Sequence, residues 1–356
     1  MSSVKEIYNF YKNKKVLVTG HTGFKGSWLV TWLDMLGSKV IGIGLDPITK
    51  PNHFKLIKKN INIKDIRLDI RDEKSLTKLI QKFKPDIVFH LAAQAIVSNS
   101  YDNPKLTFET NVLGTLNLLT ALNKLKKKCT AVLITSDKCY KNIEVSRGYK
   151  EADKLGGEDF YSSSKASAEL IIHSFFKSFI VKKNKFLRIA TARAGNVVGG
   201  GDWSKNRLIP DCVNQWSRNK MVILRNPNAT RPWQHVLEAI SGYLYLAYQL
   251  NKKKKLNGES FNFSNDKIRN FTVLKFIKEI QKYWKNANWI VKKNSLFNES
   301  GLLQLNSSKA KKTLKWKNKL KLSDTIRMVS EWYMIFYKKN KKILTKEQIN
   351  FYMRIK

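Results

Sequence analysis

The run AVLITSDKCYKN, residues 131–142, closes four apolar residues with two hydroxyls, Thr135 and Ser136, and then an acid beside a base, Asp137 and Lys138. A strand that stops in a hydroxyl, a carboxylate and an ammonium sets reactive groups at a sheet edge. An acid and a base placed there can move protons if a substrate comes within reach of both. Farther along, FYSSSKAS spaces Tyr161 and Lys165 four apart, which puts them on one face of a helix. A protonated lysine close to a phenol lowers its pKa, and a positively charged ring nearby would add to the effect, so the pair can serve as a base near neutral pH. Tyr-x-x-x-Lys is common on ordinary helix surfaces and gains meaning only from its surroundings.

Those surroundings begin with VTGHTGFKG, where Gly20, Gly23 and Gly26 fall between an apolar strand and a helix. Glycines let the backbone approach a pyrophosphate, and the helix N-terminus offers it unpaired N–H groups and a partial positive charge. With Asp46 ending the second strand in IGIGLDP, the pattern predicts dinucleotide binding rather than a bare tight turn. A carboxylate there accepts hydrogen bonds from the ribose hydroxyls and repels a 2′-phosphate, which favours NAD over NADP. Asp69, in RLDI, is placed either on the adenine side of that site or as a helix cap or turn residue. His21 and Lys25, inside the glycine loop, face either the pyrophosphate or solvent.

The elements that must position these groups read as α/β. KKVLVTG, KVIGIGL, NIKDIRLDI, DIVFHLAA, TAVLITS and KFLRIATAR are strands. Helices are predicted between them, among them PKLTFETNVLGTLNLLTALNKL and YSSSKASAELIIHSFFKSFI. That alternation predicts a Rossmann-type, doubly wound parallel sheet over residues 1–194. From 195 to 356 the texture turns to glycine, proline and tryptophan loops with helices, a smaller and mostly helical lobe whose segment near 260–265 can rejoin the main sheet. The aromatics of YLYLAY, 243–248, have the spacing of a buried helix face, and the lysines at 251–255 read as an exposed turn.

Composition narrows the classes. The chain has 356 residues, and 67 Lys and Arg against 27 Asp and Glu give a net charge of +40. Such a balance raises nucleic acid as a partner. The excess, however, is lysine in scattered clusters with no aromatic-interleaved stripe, so a solvated surface is expected and no nucleic acid. An anionic-surface binder on a retained Rossmann scaffold is also disfavoured, because Tyr161, Lys165, Asp137 and Lys138 are all present. Cys129, Cys139 and Cys212 lack zinc spacing and number too few for a disulfide framework. They read as free thiols in a reducing compartment, and no metal is expected. With no run of about 18 apolar residues and no secretory start, a cytoplasmic protein without a membrane partner is expected.

Taken together, these residues resemble the extended branch of the short-chain dehydrogenase/reductase superfamily, over essentially the whole chain. Within it, TSDKCY, HTGFKGSWL, RAGNVVGGGDW, RLIPD and RPWQHVLE are similar to the CDP-glucose 4,6-dehydratase family. Most dehydratases carry Asp followed by Glu where this chain has Asp137 and Lys138. The resemblance implies NAD-dependent conversion of CDP-glucose to CDP-4-keto-6-deoxyglucose, an early step towards dideoxysugars of surface polysaccharide. Sibling readings are a 4,6-dehydratase or epimerase acting on another nucleotide sugar, such as dTDP-glucose or GDP-mannose. It assigns Thr135 as the catalytic hydroxyl, Tyr161 as base at C4 with Lys165 as its partner, Lys138 as base at C5 and Asp137 as acid at the C6 oxygen. For that division Lys138 must be neutral and Asp137 protonated when they act, which opposes their pairing as ions. NAD contacts are implied for Gly20, Thr22, Gly23, Phe24, Gly26, Asp46, Asp69, Ile70, Leu91, Ala92, Ala93, Tyr161 and Lys165. Substrate contacts are implied for Gln94, Thr135, Asn196, Arg207, Arg231 and His235. A homodimer through the helices at about 104–125 and 161–180 follows from the same resemblance. Residues 142–160 match the family only in outline, and NFSND, 262–266, stands where a glycine-containing turn is usual.

Overall fold

Along strand β1 (Lys15–Thr19), Val16 and Val18 enter one apolar core while Leu17 enters another. The same alternation runs through β2 (Lys39–Gly44), β4 (Ile87–His90), β5 (Cys129–Ile134) and β6 (Leu187–Ala194), as strands covered on both faces require. With β3 (Ile63–Arg67) and β7 (Ser260–Phe263) they make one seven-stranded sheet, entirely parallel, in the order β7-β6-β5-β4-β1-β2-β3. The computed structural model describes residues 4–265, 271–284, 286–292 and 302–355; Asp266, the end of NFSND, lies outside them.

One core packs α2 (Phe24–Met35), α7 (Val236–Lys252) and α9 (Leu322–Lys338) against the sheet, and the other packs α3 (Glu73–Phe83), α4 (Gly114–Asn123) and α5 (Phe160–Phe175). This is a Rossmann-type sheet. The order reverses between β1 and β4, so the loops leaving their C-terminal ends part and open a crevice. The long helix expected over 104–125 runs as Pro104–Phe108, a π turn at Glu109–Leu113, and α4. Tyr243 and Tyr248 are buried, and the lysines at 252–255 are exposed, as expected. Among the helices not legible in the sequence are α1 (Val4–Tyr11) and α10 (Thr345–Arg354). Each is held from outside itself: the Tyr11 hydroxyl donates to the Leu244 carbonyl at 2.8 Å, and Tyr352 packs edge-on to Trp32.

Under the C-terminal ends of β5 and β6 lies a buried ion pair. Arg193 Nη2 meets Glu169 Oε2 at 2.7 Å, and both side chains are 3% exposed. Glu169 also accepts from Arg193 Nε at 2.9 Å, Thr135 at 2.5 Å and Thr191 at 3.0 Å, while Arg193 Nη1 donates to the Tyr140 hydroxyl at 2.7 Å. Burial alone would raise the Glu169 carboxyl, but the guanidinium and the two threonine hydroxyls hold it below the usual carboxylate range. The network joins α5, β5, β6 and the segment after β5. Glu169→Ala strands a buried cation and is expected to lower the unfolding free energy by about 3–5 kcal/mol in denaturant titration. Replacing both partners with apolar residues is expected to cost less than that single change.

Candidate active site

The crevice between β1 and β4 is built by close backbone approach. Gly20 has φ +72°, and a Cβ there would stand 2.7 Å from the Ala92 nitrogen; one on Gly26 would strike the Gly20 carbonyl oxygen. Thr19 Oγ1 accepts from the N–H groups of Leu91 and Ala92, each at 3.1 Å, and Thr22 donates to the Leu45 carbonyl at 3.0 Å, which fastens the three strand ends together. Gly23 caps α2 without a side chain, so the first-turn N–H groups keep no side-chain partner, the arrangement that suits a phosphate. Phe24 and Lys25, in that turn, line a cleft running from the crevice. Leu91, Ala92 and Ala93 are half-buried just beyond β4.

Asp46 projects beyond β2 with its side chain 86% exposed, and Arg67 Nε donates to it at 2.8 Å. Asp69 takes the turn position: it accepts from the Arg71 N–H and guanidinium, whose hydrogen bonds hold it below its ordinary range. Ile70 is buried against Gly114. His21 meets neither a pyrophosphate nor solvent, contrary to both alternatives for it. It is fully buried, its Nε2 2.8 Å from Asp65 and its ring against Gly42 and Phe54.

The cleft, with a volume of about 890 Å³, is walled by Lys25, Ser136, Asp137, Lys138, Tyr161, Asn196, Arg207 and Arg231 among others. It therefore gathers most of the chemistry-bearing residues that the sequence singles out. Lys165 stands one helical turn behind Tyr161, its Nζ 5.9 Å from the phenol ring. Burial lowers the Lys165 ammonium to about 8, with Lys25 adding repulsion. Burial pushes the Tyr161 phenol up to about 12, and the groups acting the other way are the Ser136 hydroxyl and Arg207. The downward pull expected from Lys165 on the phenol comes from those two instead.

Thr135 is not the hydroxyl of the cleft. Alternation along β5 turns it to the side of Leu133, where its Oγ1 donates to Glu169 at 2.5 Å. Ser136 faces the other way and takes the place expected for Thr135. Its hydroxyl lies by Tyr161, donates to Asp137 Oδ1 at 2.9 Å and accepts from the Lys138 N–H at 3.2 Å. Two expected substrate contacts also fall elsewhere. Gln94 commits its amide to Thr107 at 3.0 Å and to the Ile96 N–H at 2.6 Å, and the next residues, Ala95–Ser98, line the cleft instead. His235 is fully buried, caps α7 by accepting the Leu237 N–H, packs edge-on to Trp28, and burial lowers it to about 3, so it stays neutral. Asn196, at φ +41°, and Arg231 remain on the cleft wall, and Arg207 pairs with the buried Asp202 at 3.0 Å.

A family model described as GDP-mannose 4,6 dehydratase matches residues 17–329. The chain belongs to this family. It is 41% identical over 350 residues to the CDP-glucose 4,6-dehydratase of Salmonella typhimurium, covering 97% of this chain and 98% of that one. In three dimensions it resembles UDP-glucuronic acid 4-epimerase from Bacillus cereus, solved with UDP-glucuronic acid and NAD, at TM-score 0.78 and 25% identity over 91% of this chain and 100% of that one. It also resembles dTDP-glucose 4,6-dehydratase from Bacillus anthracis, solved with NAD, at TM-score 0.74 and 22% identity over 90% and 96% of the two chains.

For this family member, sequence reasoning missed Ser136 and left Lys25 undecided. The signal for the first was present in the period of two: Val132 and Ile134 share one core, which puts residue 136 on their side and Thr135 on the other. Ser136→Ala is expected to slow dehydratase turnover by about 10²-fold, as loss of a placed hydrogen-bond donor does, with little change in stability. Thr135→Val is expected to do the reverse, costing about 1.5–3 kcal/mol for a lost bond to a buried carboxylate while sparing turnover. Paired unfolding and steady-state measurements on the two variants check the assignment.

Proposed function

We propose that the chain converts CDP-glucose to CDP-4-keto-6-deoxyglucose with NAD held in the β1–β4 crevice. The observation that carries this reading is the meeting of Ser136, Asp137, Lys138 and Tyr161 in one cleft, beside a glycine loop shaped for a pyrophosphate. The relative at 41% identity supports the nucleotide, as does Lys138 where the commoner dehydratases carry Glu. The crevice fits the cofactor: the backbone of Gly20, Gly23 and Gly26 would take the pyrophosphate and Asp46 the adenosine ribose, with Thr22, Phe24, Asp69, Ile70 and Leu91–Ala93 around them. When bound there, NAD would supply the hydride acceptor for oxidation at C4 and the hydride donor for reduction at C6.

The residues of this chain do the rest. Tyr161 takes the C4 hydroxyl proton, with the Ser136 hydroxyl beside the phenol and Lys165 one helical turn behind it. The ketone at C4 acidifies C5–H, and Lys138 removes that proton while Asp137 stands by the departing C6 oxygen. Base and acid must each come within about 3 Å of their targets, which two adjacent residues on one short turn can do only if the C5–C6 bond lies across them. Arg207 and Arg231 suit the diphosphate because a guanidinium is permanently charged and bidentate, and Asn196 suits the sugar. We read residues 1–194 as the NAD half and 195–356 as the nucleotide-sugar half, with β7 completing the sheet. A cytoplasmic setting fits three cysteines that are all buried and free. Among the described residues no helix is long and apolar enough to cross a membrane.

Purified protein given CDP-, dTDP- and UDP-glucose and GDP-mannose is expected to yield the alkaline absorbance of a 4-keto product most rapidly from CDP-glucose. Cofactor-stripped protein is expected to regain more activity with NAD than with NADP. Lys138→Ala should lose at least about two decades of turnover; near-normal turnover would remove it as the C5 base. We further propose a homodimer through the helices at about 104–125 and 161–180, where Leu106, Leu113 and Leu170 are exposed. Sedimentation at micromolar concentration is expected to show the dimer, and a monomer alone would contradict it.

A further inference from the structure

Arg67 closes β3, opposite Gly44 at the end of β2. A Cβ on Gly44 would stand 3.5 Å from Thr22 Oγ1 and 3.6 Å from the Gly20 Cα, so these strand ends lie against the glycine loop. Arg67 Nη1 is itself 3.5 Å from His21 Nε2, inside that loop. The guanidinium thus sits beside Asp46, the acceptor for the adenosine ribose, whose Oδ1 takes its Nε–H at 2.8 Å.

The inner edge of that guanidinium is fixed. Nη1 and Nη2 donate to the two oxygens of Asp65 at 2.7 and 3.0 Å, and the Phe54 ring centre lies 5.8 Å from its central carbon. Asp65 is 8% exposed and also meets Lys58 Nζ at 2.7 Å and His21 Nε2 at 2.8 Å. Burial would raise its carboxyl, but the hydrogen bonds from Lys58 and His21 hold it below its ordinary range, so it is a charged anchor. His21, lowered by burial, adds no charge at neutral pH. Arg67 and Lys58 are therefore balanced by Asp65 and Asp46. Asp46, unlike Asp65, stands in water with its side chain 86% exposed. Without its carboxylate the group would hold one positive charge in excess, on a guanidinium whose Nε–H is given up by Asp46. That is the chemistry that takes a phosphate monoester, which carries about −1.5 to −2 charge near neutral pH. We propose that Arg67 opposes Asp46 in the choice of cofactor: the carboxylate favours NAD, and the guanidinium, anchored on Asp65, offers a seat to the 2′-phosphate of NADP. The inference rests on reading the β1–β4 crevice as the cofactor site. An unpaired carboxylate repels such a phosphate with its full charge, whereas one paired at 2.8 Å presents a dipole, so NADP binds more weakly than NAD but does bind.

The test measures NAD and NADP dissociation constants by titration calorimetry on protein stripped of bound cofactor, and so needs no turnover. The readout is their ratio, because a variant that only loosened the loop would weaken both cofactors together. Asp46→Asn keeps the shape and removes the charge, and is expected to shift the ratio towards NADP by about tenfold, the low end for a charged hydrogen bond because both side chains are partly in water. Arg67→Leu, which leaves Lys58 on Asp65, is expected to shift it towards NAD by about the same factor. Arg67→Gln, still able to hydrogen-bond Asp65 but uncharged, should shift it the same way. In the double variant the gain made by Asp46→Asn should disappear. A ratio left unchanged by both Arg67 variants, or NADP bound as tightly by the double variant as by Asp46→Asn, would overturn the assignment. If the wild type binds neither cofactor, the crevice reading fails and takes this one with it.

Discussion

The buried pair of Glu169 and Arg193 is the constraint on which the catalytic corner depends. Two charges taken out of water are costly, and the cost is offset only when every lone pair and N–H finds a partner. Here the partners come from different elements, Thr135 from the end of β5, Thr191 from β6 and Tyr140 from the segment beyond β5, so satisfying the charges also fixes where those elements stand. With Thr135 drawn inward to Glu169, the next residue has to turn outward, and Ser136 with the 3₁₀ turn Asp137–Cys139 is presented to the cleft. Arg193 stacks on the Tyr140 ring, 5.0 Å from its centroid, and so holds the far side of the same turn. Because Glu169 lies two turns along α5 from Tyr161, the pair also ties the helix bearing the phenol to the strand bearing the acid and base.

The cofactor side rests on a different device. Gly20, Thr19 and the backbone of Leu91 and Ala92 bring the loops after β1 and β4 into contact, at the point where the sheet's order would otherwise let them part. Beneath that seam the Thr19 hydroxyl meets His90 Nδ1 at 2.7 Å, and His90 Nε2 meets Thr115 at 3.0 Å, so a line of buried polar groups is paired from β1 to α4. His90 is lowered to about 3 by burial, with Lys165 acting in the same direction, and so contributes no charge to the site. The crevice is thus rigid where a pyrophosphate would lie and open where a sugar would lie.

Much of this was legible in the sequence because it follows local rules. Parallel strands buried on both faces read as continuous apolar runs, and a glycine triple between strand and helix has few other uses, so the sheet, the crevice and the cleft's Tyr161, Asp137, Lys138 and Arg207 could all be placed. What was not legible depends on orientation or on distant partners. Thr135 and Ser136 are both hydroxyls, and only the position of Glu169, thirty-four residues on, decides which one faces in. His235 sits in a motif-like run but is an N-cap beneath Trp28, and Gln94 is claimed by Thr107; neither is visible until the fold brings those partners close. Lys25 looks in sequence like one more lysine in a lysine-rich chain.

That excess of positive charge has two parts with different physical meaning. The lysines at 252–255 stand in water, where ions screen them within about 10 Å, and they explain nothing about the site. Lys25, Lys138, Lys205, Arg207, Arg225, Arg231 and Lys292 instead line one cleft against Asp137, Asp159, Asp202 and Asp211. Low-dielectric walls focus such a field rather than dissipate it. A diphosphate entering the cleft meets the unbalanced part of that field, whereas a nucleic-acid backbone would need the charge spread along an exposed face.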